Sequence, residues 1–560
     1  MSRARLLIAL TLACGCEPSK VVGYGEVDPN VPAPAVYDTI ELPVQSGELP
    51  GNPFTQYVAF EFWQGLERYS VDGFYDGRDS DGDHIYKVRF MATQPGDWHF
   101  AWSIGDRSDT GRLRVDARRD STIHGHVRVD KTTPTVLWHD DGNVHYWFGG
   151  KSFTANNYGP QRKERDENLR PEGDSAHDDY YSDAQVAAYL DLMREQGHNG
   201  TRLKIGLFPL EDDGVSWDLS WIRRAEVWIR MMQQRRIYCQ ITFFDARSRA
   251  KGEWFEDSND PADHVLDAWA GDQLEEARNY IRYIVARFAG FWNVYWELVN
   301  RVDHAGDEAG DRFVQAANTF YLPWLRDYDP YDLAIGASEA PKARMMPIDI
   351  EFPRDPTLLP APDSRRAVVL NEMVDVCIDQ QGIGRPADDD AAIREPSNRH
   401  CYRSALWRAF VSGAFGANQA SWLDLATSPK GSSAVLDVMR DHQRLRTIIT
   451  GLGTGLEELV SDPGFVVPRS EHQGTRSKLG QLYLAYFTPG RPSESIEVRL
   501  PDGRYSYRWL DPQAPAPGQP PPIPEPPKFV VVQGNPASLQ RPAYEDDLLL
   551  VVERADDDVP

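Results

Sequence analysis

Between residues 122 and 452 short apolar runs alternate with amphipathic segments, and this alternation constrains the fold more than any other feature of the chain. The apolar runs are His145–Phe148, Thr201–Leu207, Ile237–Phe244, Asn293–Val299, Leu333–Ala337, Ile348–Phe352, Ala367–Leu370 and Ala417–Leu423. Helical signals lie between them. Ser182 and Gln185 form a capping-box pair, Val186, Leu190 and Met193 follow at helical spacing, and Gly197 supplies a stop. A second helix is expected from about Trp221 to Gln234, and a third carries Leu274, Ala277, Ile281, Ile284 and Phe288. Strand–helix repetition of this length predicts a (β/α)8 TIM barrel, with a doubly wound open sheet as the competing arrangement. The long polar stretches Asn156–Asp179, Asp245–Gly271 and Asp375–Arg399 each follow a strand. In a barrel they form the C-terminal rim, where active sites assemble.

The flanks are different. Residues 35–118 hold alternating strand patterns punctuated by Gly, Pro, Asp and Asn, which predicts an immunoglobulin-like β-sandwich. Residues 453–556 return to strand patterns and predict a second sandwich. Its segment 511–527 holds nine prolines and reads as a polyproline-like excursion between strands. The expected architecture is therefore a central barrel over 122–452 with a β-domain on each side.

The N-terminus bears on location. Arg3 and Arg5 precede the apolar run Leu6–Ala13, followed by Cys14, Gly15 and Cys16. This pattern resembles a bacterial lipoprotein signal over residues 1–16, with lipid on Cys16 or, alternatively, Cys14. Residues 17–34 then read as a tether. The implied location is extracytoplasmic, lipid-anchored at the periplasmic or cell surface, with no further membrane span. In such an oxidising compartment Cys377 and Cys401, at the ends of a polar loop, are candidates for a disulfide, whereas Cys239 in an apolar run reads as a buried thiol.

Lys+Arg is 60 against 85 for Asp+Glu, a net charge of −25 that argues against nucleic acid as the partner. The 16 Trp, 24 Tyr and 22 Phe suit large cores, and they also suit stacking on sugar rings. There is no phosphate-binding glycine loop, His-Glu-x-x-His or serine-elbow motif. Asp79-Ser-Asp-Gly-Asp83 has a calcium-like composition but lacks the distal Glu, so it reads as a solvated turn; no metal site and no cofactor are expected. The oligomeric state leaves no mark on the sequence.

Several motifs carry a resemblance. Asn52-Pro-Phe, Val71-Asp-Gly-Phe-Tyr-Asp-Gly and Pro95-Gly-Asp-Trp resemble the immunoglobulin-like domain that precedes bacterial glycoside hydrolase barrels. His198-Asn-Gly-Thr-Arg202, Trp296-Glu-Leu-Val-Asn300 and Val368-Val-Leu-Asn-Glu372 resemble the second, fourth and seventh strands of retaining (β/α)8 glycosidases. Tyr402-Arg-Ser-Ala-Leu-Trp with Gly413-Ala-Phe-Gly, and the C-terminal Tyr507-Arg-Trp-Leu-Asp-Pro, are similar to the apiosidase-like group.

The resemblance implies a carbohydrate substrate and two carboxyl groups, one to protonate the leaving oxygen and one to attack. Glu372 would be the nucleophile, Arg202 its charge partner and Asn300 a donor to a sugar 2-hydroxyl. The acid would normally follow the Asn, but Arg301 stands there and stays protonated at every useful pH. Asp303 and Glu297 are the replacement candidates; Glu297 reads more readily as a polar core residue. Trp422 would offer a stacking platform or a core ring, and Asn157 and Tyr158 would meet substrate or make a turn. The reading is a hydrolase of O-glycosidic bonds in polysaccharide or glycan side chains. Its alternatives are a non-catalytic sugar-binding pseudoglycosidase and, more remotely, an adhesin whose sandwiches do the work.

Overall fold

The computed structural model describes residues 7–10, 19–22, 33–46, 51–105, 107–151, 153–154, 182–205, 217, 219–245, 274–300, 302, 307–338, 341–353, 365–371, 396–420, 433–469, 472–488, 495–515, 526–544 and 546–555. Leu7–Leu10 and Ser19–Val22 pair antiparallel ahead of the first domain. Among the described residues no helix is long and apolar enough to cross a membrane.

The N-terminal domain is a six-stranded antiparallel sheet in the order Thr39–Ser46, His84–Met91, Glu67–Arg78, Val58–Gln64, Gly96–Ile104, Arg107–Val115. Glu67–Arg78 serves both halves: Val71 and Gly73 pair with Phe60 and Val58, whereas Phe74 and Tyr75 pair with Lys87 and Tyr86. The register shifts between Tyr75 and Arg78, as where a strand bends from one layer to the other. Alternation decides the faces. Phe60 and Phe62 are buried while Glu61 between them is exposed. The bend brings Phe62 onto Phe90, rings 4.1 Å apart and parallel within 2°.

The centre is a closed parallel barrel of eight strands. They are β1 (Trp147–Lys151), β2 (Gly200–Lys204), β3 (Tyr238–Asp245), β4 (Val294–Asn300), β5 (Ile335–Ser338), β6 (Ile350–Phe352), β7 (Ala367–Val368) and β8 (Gly416–Ala420). Neighbours pair in chain order, and β8 returns to β1. The β7–β8 seam is closed just past β7, where Leu370 lies opposite Ala417. The Leu370 N–H donates to Gly416 O at 2.9 Å, and the Asn418 N–H donates to Leu370 O at 2.7 Å. All seven residues of β4 are buried, the pattern of a strand covered on both faces.

The α-helices among the described residues are α1 (Asp183–Glu195), α2 (Leu219–Gln234), α3 (Leu274–Phe288), α4 (Asp307–Ala316), α5 (Leu322–Tyr328), α6 (Pro396–Val411) and α7 (Ser433–Thr450). The capping box opens α1: Ser182 Oγ accepts the Gln185 N–H and Gln185 Oε1 accepts the Ser182 N–H. Gly197, at φ +77°, follows its end. Trp147, 1% exposed, lies within the barrel, and two bare backbones make room for it. A Cβ on Gly200 would sit 2.5 Å from its ring, and one on Gly149 would sit 2.4 Å from its indole nitrogen.

Buried charges dock the N-terminal domain on α2 and α3. Arg89, fully buried, reaches Glu41 at 2.9 Å and Glu226 of α2 at 2.7 Å. Arg287 of α3 pairs with Glu226 and with Asp76, both at 2.9 Å. The paired cations hold the Glu226 carboxyl well below its usual range despite its burial.

The C-terminal domain packs a six-stranded sheet on a three-stranded one. Tyr483, Phe487, Leu550 and Val552 face the small sheet, whereas Leu484, Tyr486, Leu549 and Val551 face the barrel core. Tyr486 stacks with Trp407 of α6, ring centres 6.1 Å apart. Arg403 of α6 holds Asp547 through three hydrogen bonds of 2.7 to 3.0 Å.

Candidate active site

The inward faces of the barrel strands carry a polar network. Register sets its members: Arg202 on β2 lies beside Gln240 on β3, and Thr242 lies beside Glu297 on β4. Arg202 Nη1 donates to Asn300 Oδ1 at 3.0 Å and stands 3.5 Å from Glu297 Oε1. The hydroxyls of Thr242 and Ser338 donate to the two oxygens of Glu297. Asn371 Nδ2 donates to Ser338 Oγ at 3.2 Å, and Asn418 Nδ2 donates to Asn371 Oδ1 at 3.1 Å. Trp147 Nε1 donates to Asn418 Oδ1, and Tyr295 Oη donates to Gln240 Oε1 at 3.0 Å.

Arg202, Glu297 and Asn300 are all 0% exposed. An isolated charge there would be costly, so cation and carboxylate occur together and share hydroxyl and amide partners. Burial, reinforced by the Glu297 carboxylate, pushes the Tyr295 hydroxyl well up, so Tyr295 remains a donor.

Of the sequence-derived candidates, the structure brings Arg202, Glu297 and Asn300 into one cluster inside the barrel, with Arg202 and Glu297 midway along β2 and β4 and Asn300 at the C-terminal end of β4. Both Glu297 oxygens accept hydrogen bonds, so a substrate oxygen reaching them would have to displace Thr242 or Ser338. With Oδ1 committed to Arg202, the Asn300 amide nitrogen is the group presenting N–H. Glu372, Asp303, Arg301, Trp422, Asn157, Tyr158, Cys16 and Cys377 lie outside the described residues. Cys401 is disulfide-bonded, and Cys239 is a buried free thiol whose ionisation burial opposes.

Sequence reasoning missed Thr242, Ser338, Asn371 and Asn418. Asn371 sits inside the Val368–Glu372 motif but was not singled out; for the other three, each a polar residue in a barrel strand, inward parity was the only available signal. Asn371 matters most, because it directly precedes Glu372 and is held on both sides of its amide.

The Asp79 turn is occupied by its own chain. Asp79 Oδ1 accepts the N–H groups of Asp81 and Asp83 at 3.0 and 2.9 Å, and Oδ2 accepts from Gln45 at 2.6 Å. Among the described residues no group of three or more His, Cys, Asp or Glu is placed to hold a metal ion.

Comparison with known proteins sets this geometry in context. Residues 34–105 match a family described as a domain of unknown function (DUF5060). No curated protein sequence matches the chain. Among solved structures, a Bacteroides vulgatus protein described as a candidate glycoside hydrolase is similar at TM-score 0.62 and 17% identity, covering 93% of this chain and 99% of that one. A glycoside hydrolase family 5 protein of the same species is similar at TM-score 0.50 and 13% identity, covering 78% of this chain and 95% of that one. At these identities the likeness is one of fold. The chain has a glycoside hydrolase-like fold, a (β/α)8 barrel between β-domains.

Proposed function

We propose that the protein is a glycoside hydrolase that cleaves O-glycosidic bonds in polysaccharide or glycan side chains, with Glu372 as nucleophile. The carrying observation is the Arg202–Asn300–Glu297 cluster inside the barrel, which reaches the C-terminal end of β4 at Asn300, with Asn371 pinned one residue before Glu372. In a retaining mechanism Glu372 attacks the anomeric carbon as an acid protonates the departing oxygen. Water then hydrolyses the glycosyl–enzyme, with the same acid now acting as base. Asp303 is the proposed acid. Arg202 provides positive charge beside the site, and the Asn300 amide provides a donor for a sugar hydroxyl.

A second reading follows from Arg301, which stands directly after Asn300 and has no proton to give at useful pH. Under it the barrel binds glycans without cleaving them. One experiment separates the two: reducing-end release from a panel of oligosaccharides by wild type and by Glu372→Gln, with binding measured in parallel. Hydrolysis lost in Glu372→Gln with binding retained supports the first reading. Binding without cleavage by the wild type supports the second, and full activity in Glu372→Gln removes the nucleophile assignment.

The remaining assignments are a diacylglycerol anchor on Cys16 and pairing of Cys401 with Cys377. Mass spectrometry of the mature N-terminus and of non-reduced peptides tests both. Closing that loop is worth about 3 kcal/mol in the chain-entropy picture.

A further inference from the structure

The described tryptophans divide by what their rings touch. Trp63 lies beside His99, Trp228 beneath Arg224, and Trp324 beside Phe320. Trp147, Trp296 and Trp407 are buried. Among the described residues, no aromatic ring or guanidinium stacks on half-buried Trp138. Its Nε1 donates to Thr133 Oγ1 at 2.9 Å, which orients the ring. Trp138 walls a cleft of about 440 Å³, completed by Asn143, Ile449, Thr450, Thr454 and Glu457. That volume falls in the range of small-molecule sites, about 300–1,000 Å³. The strand pair carrying Trp138 (Val127–Val129 with Leu137–His139) precedes β1, and Ile449 and Thr450 end α7. The cleft thus lies at the N-terminal end of the barrel, opposite Arg202 and Asn300.

The rim offers hydrogen-bond acceptors. Thr450 Oγ1 donates to Arg446 O at 3.0 Å, and Thr454 Oγ1 donates to Glu458 Oε2 at 2.8 Å. Their hydrogens being committed, these groups present oxygen lone pairs to a ligand. Glu457 adds a carboxylate. A Cβ at Gly455 would stand 2.1 Å from a Glu457 oxygen, so the bare backbone lets this carboxylate fold back over the chain at the cleft.

We infer that this cleft is a non-catalytic binding site for a neutral sugar. The Trp138 ring meets the apolar CH face, and the acceptor rim takes the hydroxyl hydrogens. The same rim repels uronates, sulfates and phosphates. A glycan held here is remote from the candidate catalytic centre, so the site would hold the protein on its polymer without entering the reaction. The inference rests on the cleft and not on the catalytic assignment.

The test uses the full-length chain labelled with 5-fluorotryptophan, its Trp138 ¹⁹F resonance assigned by Trp138→Phe. Neutral gluco-, galacto- and manno-oligosaccharides are titrated, with oligogalacturonate as the acidic comparison. At least one neutral series should shift the Trp138 resonance, and oligogalacturonate should not. Trp138→Ala should weaken that binding roughly tenfold, the loss expected for truncating an aromatic anchor, whereas Trp138→Phe keeps most of it. Turnover of a small aryl glycoside, if the barrel is active, should be unchanged in Trp138→Ala, and Glu372→Gln should leave the Trp138 shift intact. No shift with any neutral sugar, equal binding of the acidic oligomer, or undiminished binding by Trp138→Ala would overturn the inference.

Discussion

Arg202 and Asn300 meet at 3.0 Å across the barrel interior, joining β2 to β4 over the intervening β3. The same guanidinium stands 3.5 Å from Glu297, so one cation serves both an amide and a buried carboxylate. Arg202→Ala would leave the buried Glu297 carboxyl without its cation. Removing one partner of a buried pair costs about 3–5 kcal/mol. The urea midpoint of Arg202→Ala should fall accordingly with an unchanged slope. The double variant Arg202→Met/Glu297→Gln should recover part of the loss.

In the proposed mechanism Asp303 supplies the proton for the leaving oxygen. Asp303→Asn should slow hydrolysis most for substrates with poor leaving groups and least for activated aryl glycosides, which depart without protonation. Equal slowing across a leaving-group series would remove Asp303 from that role.

Arg403 and Asp547 are 2% and 4% exposed, and Asp547 also accepts from Tyr486 Oη at 2.6 Å. The pair ties α6 to the last strand of the chain, Leu548–Arg554, which starts at the next residue. Asp547→Ala strands Arg403 at a buried contact and should cost about 3–5 kcal/mol. Limited proteolysis should then release the C-terminal domain before the barrel is cut, an order that wild type should not show.

His198 and His442 stack with ring centres 4.9 Å apart, both buried. Burial opposes their charged forms and lowers His442 to about 3; His198 is lowered by burial and further by the nearby charges of His442 and Arg446. A group with a depressed folded pKa that binds a proton to become charged favours the unfolded chain as pH falls. The stability is whole above the unfolded value, about 6.5, and drains below it at up to about 1.4 kcal/mol per pH unit per group. Thermal midpoints should therefore fall from about pH 6.5 downward. His442→Phe, which keeps a ring against His198, should flatten that slope and reduce proton uptake on unfolding.

The eight strands were legible because parallel strands buried on both faces read as continuous apolar runs. Each was found within about three residues of its place. The first was shifted most. His145 and Tyr146 look like strand, yet β1 runs from Trp147 into Gly149 and Gly150, where two glycines erase the strand signal. They stand there because Trp147, Asn418 and Met193 occupy the space a side chain would need. Arg202 and Asn300 were found through their motifs. Thr242 and Ser338 were not, since a lone polar side chain in a strand gains its meaning from the strand beside it. That partner is set by closure of the barrel and not by local spacing.

Arg89 has a consequence for how the N-terminal domain can be exchanged. Its guanidinium is answered half by its own sheet, through Glu41, and half by the barrel, through Glu226 of α2. Asp76 likewise looks outward to Arg287 of α3. The segment that matches a recurring domain is therefore one half of a charge-coded lock, and the other half is written much later in the chain. Grafted onto a foreign barrel without those two positions, the domain would fold but find its seat miswired. To be portable it must travel with two helices that are not its own.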